Sequence, residues 1–319
     1  MINHPGSIKN INMAESKTKD KEIHLIKLDI DGTSTNPDFS TLNKKLKKVL
    51  QKLKEQGHKI CFTTGRNYWS ALPFYNEVGL DTFLVTYNGA YINNPAEQNE
   101  KEVVVNRISN EVVKNILAEP IIKQNLLNVL VDRADKKIIS TSDDIYYQEI
   151  FFNGNSYTKA DISNLLKHLE KKDALQLVLE FPSEEEIFYN ILVTLNSKYN
   201  IDFYFGDKLK SEKPGNKILM PDPTKKIIKV RSKMASKGKG VEWVANYYGI
   251  PLSRTIAFGN DVNDIEMMRK VGKGVVMADS DPHLMPFARG ITDFGLLNSD
   301  GVAKHLAEYF NLSAVLEEK

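Results

Sequence analysis

Two aspartates spaced by one residue, Asp29 and Asp31 in "KLDIDGTST", stand at the end of the apolar run 24–28, directly before Gly32 and Thr33. A strand stops where Asp and Gly follow, so the minimal reading is an Asp-Gly turn. The other reading is chemical. Open α/β sheets bind ligands at the carboxyl ends of their strands, where one carboxylate can accept a phosphoryl group as a nucleophile. A second carboxylate two residues on can serve as general acid and then general base. A calcium loop does not fit, because an EF-hand needs alternating ligand positions before its Gly and helices on both sides.

Two carboxylates repel a phosphate dianion, so cations and donors must come from other strand ends. "CFTTGR" places Thr64, Gly65 and Arg66 just after a second strand-like run. A hydroxyl and free backbone N–H groups there bind phosphoryl oxygens; a Gly turn into a helix is the plainer alternative. "ASKGKGVEWV" opens a helix on Lys237, against the macrodipole, which asks for a compensating anion. A solvent-exposed lysine is the commoner case, and the spacing is not that of a P-loop. In "AFGNDVNDIEMM", Asn260, Asp261, Asn263 and Asp264 crowd a further strand end. A helix N-cap accounts for one such residue. Four oxygen-bearing side chains in five residues suit a hard cation such as Mg2+.

The elements that must position these residues alternate. "IHLIKLDI", "KICFTT" and "FLVTY" read as buried strands, separated by helical "TLNKKLKKVLQKLKEQG" and by "NYWSALPFYNEVGL". "GKGVEWVANYYGI", "TIAFG", "DIEMMRKVG", "GVVMA" and "GVAKHLAEYF" repeat the helix-strand texture at the other end. Short connections of this kind predict a parallel sheet with helices on its faces. Between about 109 and 233 strands such as "NLLNVLVDR" and "KKIISTS" adjoin, then helices "KADISNLLKHLEKK" and "SEEEIFYNILVTLNSKYN" alternate with "LQLVLEF", "IDFYFG" and "KIIKVRS". That predicts an α+β insert in an α/β domain. "DKLKSEKPGNKILMPDPTKK" reads as a solvated loop, or as a phosphate-attracting rim.

The chain of 319 residues carries 43 Lys and Arg against 41 Asp and Glu, a net charge of +2 that offers no polyelectrolyte case for nucleic acid or an anionic membrane. A single cysteine, Cys61, excludes an internal disulfide framework and fits a reducing, cytoplasmic compartment. There is no apolar run long enough for a membrane span, and residues 1–20, without a secretory h-region, read as a disordered polar tail.

Taken in order, these stretches resemble the motifs of the haloacid dehalogenase (HAD) superfamily, and within it the Cof-type (subfamily IIB) sugar-phosphate phosphatases. "LDIDGT" is similar to the first motif, "TTGR" to the second, "TYNGAYI" to a stretch typical of the branch, and "KGKGVEWVANYYGI" to the motif-lysine helix. "FGNDVNDIEMM" resembles the fourth motif and "SDGVAKHL" the C-terminal signature. The likeness covers about residues 23–108 and 234–312. It implies a Rossmann-like core, 21–108 and 234–319, with an inserted C2-type α+β cap, 109–233. It also implies a nucleophile in Asp29, an acid and base in Asp31, and phosphoryl-holding groups in Thr64 and Lys237. Gly32, Thr33, Gly65, Arg66, Asn88, Gly89 and Asn263 would line the substrate side. Mg2+ would be held among Asp29, Asp31 (through its carbonyl), Asn260, Asp261 and Asp264. One departure matters: the residue after Gly259, an Asp in the family, is Asn260. Either Asn260 ligates through its amide oxygen, Asp261 swings in, or the metal is held more weakly. Asp279, where the family has Asn, would restore acidity nearby.

The resulting expectation is a Mg2+-dependent phosphatase of a small phosphorylated metabolite, foremost a sugar phosphate, working through an aspartyl-phosphate. A sugar phosphomutase and a catalytically weakened binding homologue are the alternatives. No nucleic-acid or membrane partner is expected.

Overall fold

The computed structural model describes residues 22–37, 39–97, 104–133, 135–169, 173–211, 219–293 and 300–317. The expected N-terminal tail lies outside these residues. The chain begins with β1 (Leu25–Leu28), α1 (Lys44–Glu55), β2 (Lys59–Phe62) and α2 (Tyr68–Val78). Asn43 caps α1 by accepting the Leu46 N–H, and Leu46, Val49, Leu50 and Leu53 bury one face at helical spacing. β1 and β2 pair in parallel, with Lys27 opposite Cys61.

β3 (Leu84–Thr86), β4 (Tyr91–Asn93) and β5 (Val104–Val105) form a small antiparallel sheet that meets β2 through one parallel bridge, Thr63 to Val85. "FLVTY" is therefore held mainly by its hairpin partner rather than as a full member of the parallel sheet. The chain leaves extended geometry at once, because Tyr87, Asn88 and Gly89 all have positive φ (49°, 54° and 92°).

The insert follows: α3 (Asn110–Ala118), α4 (Pro120–Asn125), β6 (Asn128–Arg133), β7 (Ile138–Ser140), α5 (Ile145–Tyr147), β8 (Tyr157–Lys159), α6 (Leu165–His168), β9 (Ala174–Pro182), α7 (Glu185–Lys198), β10 (Ile201–Ser211) and β11 (Leu219–Ser232). Its sheet runs β10-β11-β9-β6-β7-β8, antiparallel except for the β7–β8 pair. One face packs on α3, α4 and α7 through Val113, Ile116, Ile122, Ile191 and Leu195. The other carries Leu130, Val178 and Ile227 against Tyr147, Phe151 and Phe152, with Trp69 of α2 beside them. This is the expected α+β insert. Two details differ from the sequence reading. Helix α6 is a single turn of the longer helix expected over 159–172. The basic stretch 207–226 is no loop at its ends, since β10 and β11 extend into it; residues 212–218 lie outside the described set. Pro221 and Pro223 are tolerated there because β11 pairs with β9 only from Lys225 onward, so one side of the strand needs no donors before that point.

The chain then returns through α8 (Lys237–Tyr247), β12 (Thr255–Gly259), α9 (Ile265–Lys270), β13 (Lys273–Val276), β14 (Gly290–Ile291) and α10 (Asp300–Tyr309). The main sheet, order β14-β13-β12-β1-β2, is parallel throughout. Its period of two decides which face each residue takes. Ile26 and Leu28 pack with Leu46, Val302 and Leu306 toward α1 and α10. Leu25 packs with Val244 and Ala245 of α8, so Lys27 and Asp29, at the same parity, belong to the α8 side. Among the described residues no helix is long and apolar enough to cross a membrane.

Candidate active site

Parallel pairing brings the carboxyl ends of β1, β2 and β12 to one edge, and the parity of β1 turns Asp29 toward the start of α8. Asp29 continues the ladder, its N–H donating to the Phe258 carbonyl at 3.0 Å. The residue is 4% exposed. Oδ1 accepts the Ile30 N–H at 2.8 Å, and Oδ2 lies 2.8 Å from Lys237 Nζ. Lys237 is fully buried, and its ammonium also meets Asp264 Oδ1 at 2.7 Å. The compensating anion that a lysine at a helix start requires is thus a pair of carboxylates. Burial would lower the Lys237 ammonium, but Asp264 and Asp29 outweigh it and hold the pKa above the ordinary value. Burial raises the Asp29 carboxyl to about 7, with Lys237 opposing and Asp264 and Asp31 adding to the rise.

Asp264 earns its place through two contacts on its other oxygen. Oδ2 accepts the N–H groups of Asn260 at 3.0 Å and Asp261 at 3.2 Å, folding the loop around a fully buried carboxylate. Gly259 is required beneath it, since a Cβ there would lie 2.4 Å from Asp264 Cγ. Asp261 is exposed and accepts the Val262 N–H at 2.6 Å, capping its own turn. It does not swing toward Asp29, because a local cap is available at no cost in chain geometry. Asp279 is likewise exposed. Among the described residues no three His, Cys, Asp or Glu side chains gather as a metal cluster.

Asn260 takes the inward position instead. Its side chain lies on the Asp31–Gly32 backbone so closely that a Cβ on Gly32, which has φ +69°, would fall 2.2 Å from Asn260 Nδ2. Asn260 Oδ1 accepts the Thr33 hydroxyl at 3.2 Å. The oxygens of the Asp29 carboxylate and the Asn260 amide are hard donors. A Mg2+ ion that uses one or two protein side chains and keeps waters fits such a set. The Asp264 carboxylate is engaged by Lys237 and the loop amides and the Asp31 carboxylate by Arg66; the ligand expected from Asp31 is its carbonyl, not this carboxylate.

Asp31 faces Arg66. Arg66 Nε reaches both carboxylate oxygens, at 3.1 and 2.9 Å, and Nη2 reaches Oδ1 at 2.5 Å. Thr64 is fully buried, and its hydroxyl oxygen accepts the Arg66 N–H at 3.1 Å. The left-handed turn 87–89 closes over this corner, the Asn88 N–H donating to the Thr64 carbonyl and the Tyr87 N–H to that of Arg66, both at 2.9 Å. A Cβ on Gly65 would press on the Asn88 amide at 3.2 Å, and one on Gly89 would strike the Ser236 carbonyl at 2.2 Å. These glycines are spacers that let three loops meet. Asn263 donates from Nδ2 to Asn88 Oδ1 at 3.0 Å, while its own Oδ1 is buried without a hydrogen-bond partner among the described residues.

The cap adds residues that the sequence reading passed over. Asn88 Nδ2 and Arg231 Nη1 both donate to the Tyr204 hydroxyl. Arg231 Nε and Nη2 hold Asp202 Oδ2 at 2.8 and 2.5 Å. Lys229 stands two residues before Arg231 on the same face. The signal was present in "KIIKVRS": Lys229 and Arg231, spaced by one residue in a strand, place two cations on one face. Ser34, whose Oγ donates to the Asp29 carbonyl at 2.5 Å, was also missed and has no distinctive sequence signal.

Comparison with known proteins agrees with this geometry. The chain is 29% identical over 289 residues to the 5-amino-6-(5-phospho-D-ribitylamino)uracil phosphatase YitU of Bacillus subtilis, covering 91% of this chain and 98% of that one. It is 24% identical over 283 residues to the HMP-PP phosphatase of Cronobacter sakazakii, covering 89% and 94%. In fold it is similar to a haloacid dehalogenase-like hydrolase from Bacteroides thetaiotaomicron, with a TM-score of 0.72, 20% identity and coverage of 91% and 100%. It is also similar to the HAD subclass IIB sugar phosphatase BT4131, with a TM-score of 0.64, 21% identity and coverage of 91% and 99%. Residues 26–306 match the haloacid dehalogenase-like hydrolases as a family. The chain belongs to that family, as a phosphatase acting on phosphoric monoesters.

Proposed function

We propose that this phosphatase hydrolyses a small phosphorylated metabolite, foremost a sugar phosphate, through a phosphoryl-aspartate at Asp29, with Mg2+ as cofactor. The observation that carries this reading is the Lys237 ammonium held between the Asp29 and Asp264 carboxylates at a parallel-sheet edge. Asp29 Oδ forms the new bond to phosphorus as the bond to the leaving oxygen breaks. Asp31 gives that oxygen its proton, and then takes one from the water that frees Asp29. Arg66 sets the position of the Asp31 carboxylate and must loosen its hold when the acid form is needed. Lys237 and the Thr64 hydroxyl hold phosphoryl oxygens, with Lys237 favouring the ionised form of Asp29 against its burial. The Asp29 carboxylate, the Asp31 carbonyl and the Asn260 amide oxygen would hold Mg2+, which would supply charge stabilisation to the transferring group. The segment 109–233 acts as the cap that covers the leaving group and excludes water. The lone buried Cys61 is consistent with work in a reducing cytoplasm.

The test is phosphate release from p-nitrophenyl phosphate at millimolar Mg2+. Wild type should turn over, chelation with EDTA should abolish turnover reversibly, and Asp29→Asn should lose at least about a thousandfold in kcat, the scale of a lost nucleophile. Full activity in Asp29→Asn overturns the covalent mechanism, and activity in EDTA overturns the metal.

A further inference from the structure

Among the described residues Lys237, Arg66, Arg231 and Lys229 gather where the cap sheet faces the strand ends, and three of these cations are spoken for. Lys237 holds Asp29 and Asp264, Arg66 holds Asp31, and Arg231 holds Asp202. Lys229 is left over. Among the described residues its ammonium has no hydrogen bond or ion pair; its contact is the face of the Phe151 ring, 5.4 Å from the centroid. It is half-buried, and it lies near enough to feel both Asp31 and Arg66. Burial lowers its pKa, with the Asp31 carboxylate opposing and Arg66 adding to the fall. A half-buried ammonium without an acceptor is costly unless something anionic arrives.

Sheet register places a second donor beside it. Tyr204 is directly opposite Lys229 across β10 and β11, as Asp202 is opposite Arg231, so all four side chains share the face turned to the core. The Tyr204 oxygen already accepts from two groups. Asn88 uses its amide nitrogen, because its Oδ1 is taken by Asn263 Nδ2, and Arg231 supplies the other donor. A phenol oxygen that accepts twice has its own proton left to give. Arg231 is thereby a positioning residue, fixed on Asp202 and on the Tyr204 ring 4.4 Å away.

We infer that Lys229 and Tyr204 form a receptor for a second anionic group on the substrate, carried by the leaving group. The preferred substrate is then a phosphomonoester whose alcohol also bears a carboxylate or a further phosphate. The location supports this assignment: Lys229 lies by Asp31, the residue proposed to protonate the leaving oxygen, so the receptor is on the leaving-group side. It rests on the phosphatase mechanism proposed above and narrows the substrate class of the same site.

The experiment compares kcat/KM for matched pairs, with p-nitrophenyl phosphate as reference. 6-Phosphogluconate against glucose 6-phosphate tests the carboxylate, and fructose 1,6-bisphosphate against fructose 6-phosphate tests the second phosphate. At least one anionic member should be favoured by about tenfold or more, the scale of a charge-assisted hydrogen bond. Lys229→Gln should bring that ratio toward one, mainly through KM, and Tyr204→Phe should reduce it part of the way. The ratio is the readout, because a general loss of folded enzyme leaves it unchanged. A ratio of one or less in both wild-type pairs, or a ratio unmoved in Lys229→Gln, overturns the receptor while leaving the phosphatase reading intact. Phosphate release from none of the substrates overturns both.

Discussion

Asn260 shows how one atom's change of charge is absorbed locally. Where the family's motif carries a carboxylate, this chain presents an amide, its Nδ2 nearest Gly32 and its Oδ1 accepting from the Thr33 hydroxyl. The neighbouring Asp261 does not compensate, being occupied with the start of its own turn. A cation beside Asp29 therefore gains one less unit of charge attraction from this loop. Asn260→Asp should lower the Mg2+ concentration that gives half-maximal activity by about tenfold, equivalent to roughly 1.4 kcal/mol. A Mg2+ titration of both enzymes reads this directly. An unchanged midpoint would mean that residue 260 does not touch the ion.

At the scale of elements, β1 carries both the nucleophile and an odd companion. Lys27 is fully buried in the parallel sheet, and its amine donates to the Cys61 sulfur on β2 at 2.7 Å. Burial pulls its pKa below the ordinary 10.5, with Cys61 opposing. The sign of the linkage is fixed by that direction. Between its native pKa and 10.5 the unfolded chain binds a proton that the native chain does not, so stability climbs with pH across that window. Lys27→Met, close in volume and without charge, should raise the urea midpoint at neutral pH and flatten the climb. Midpoints that fall, or a slope that persists, would show that the amine contributes more than its burial costs.

For the whole molecule, the cap and core are joined through α2 as well as through the site. Asn67 donates to Asp132 Oδ2 at 3.2 Å and to the Phe151 carbonyl at 2.7 Å, and Ser70 donates to the Ile150 carbonyl at 2.7 Å. Trp69 Nε1 reaches the Lys136 carbonyl at 3.0 Å. Asp132 is fully buried in this seam, and burial raises its carboxyl to about 7, with Tyr87 and Asn67 opposing the rise. An acid whose native pKa lies above its unfolded value of 3.8 loses stability as pH rises through 7. Asp132→Asn should accordingly be more stable than wild type at pH 8, by about 1–3 kcal/mol, with the advantage shrinking by pH 5. Urea unfolding at the two pH values checks this, and a gain equal at both would show that Asp132 does not titrate.

The residue types and order of 27–33, 61–66, 236–241 and 259–264 were sufficient to expect a parallel sheet with a phosphoryl site at its edge. Apolar runs that end in Asp, Thr-Gly or Asn-Asp record local backbone and chemistry, and these are legible along the chain. Pairings across long separations are not. That Asp264 pairs with Lys237 and that Asp31 leans on Arg66 depend on contacts between groups 27 and 35 residues apart in the chain. The cap was legible only as a change of texture, since alternating Lys229 and Arg231 reveal a charged face but not what it looks upon. Sequence by itself determined which groups exist and which strand ends they occupy. Tertiary structure alone decided their partners, because burial and opposing charge, not spacing, settle which carboxylate binds a lysine and which lysine is left for a ligand.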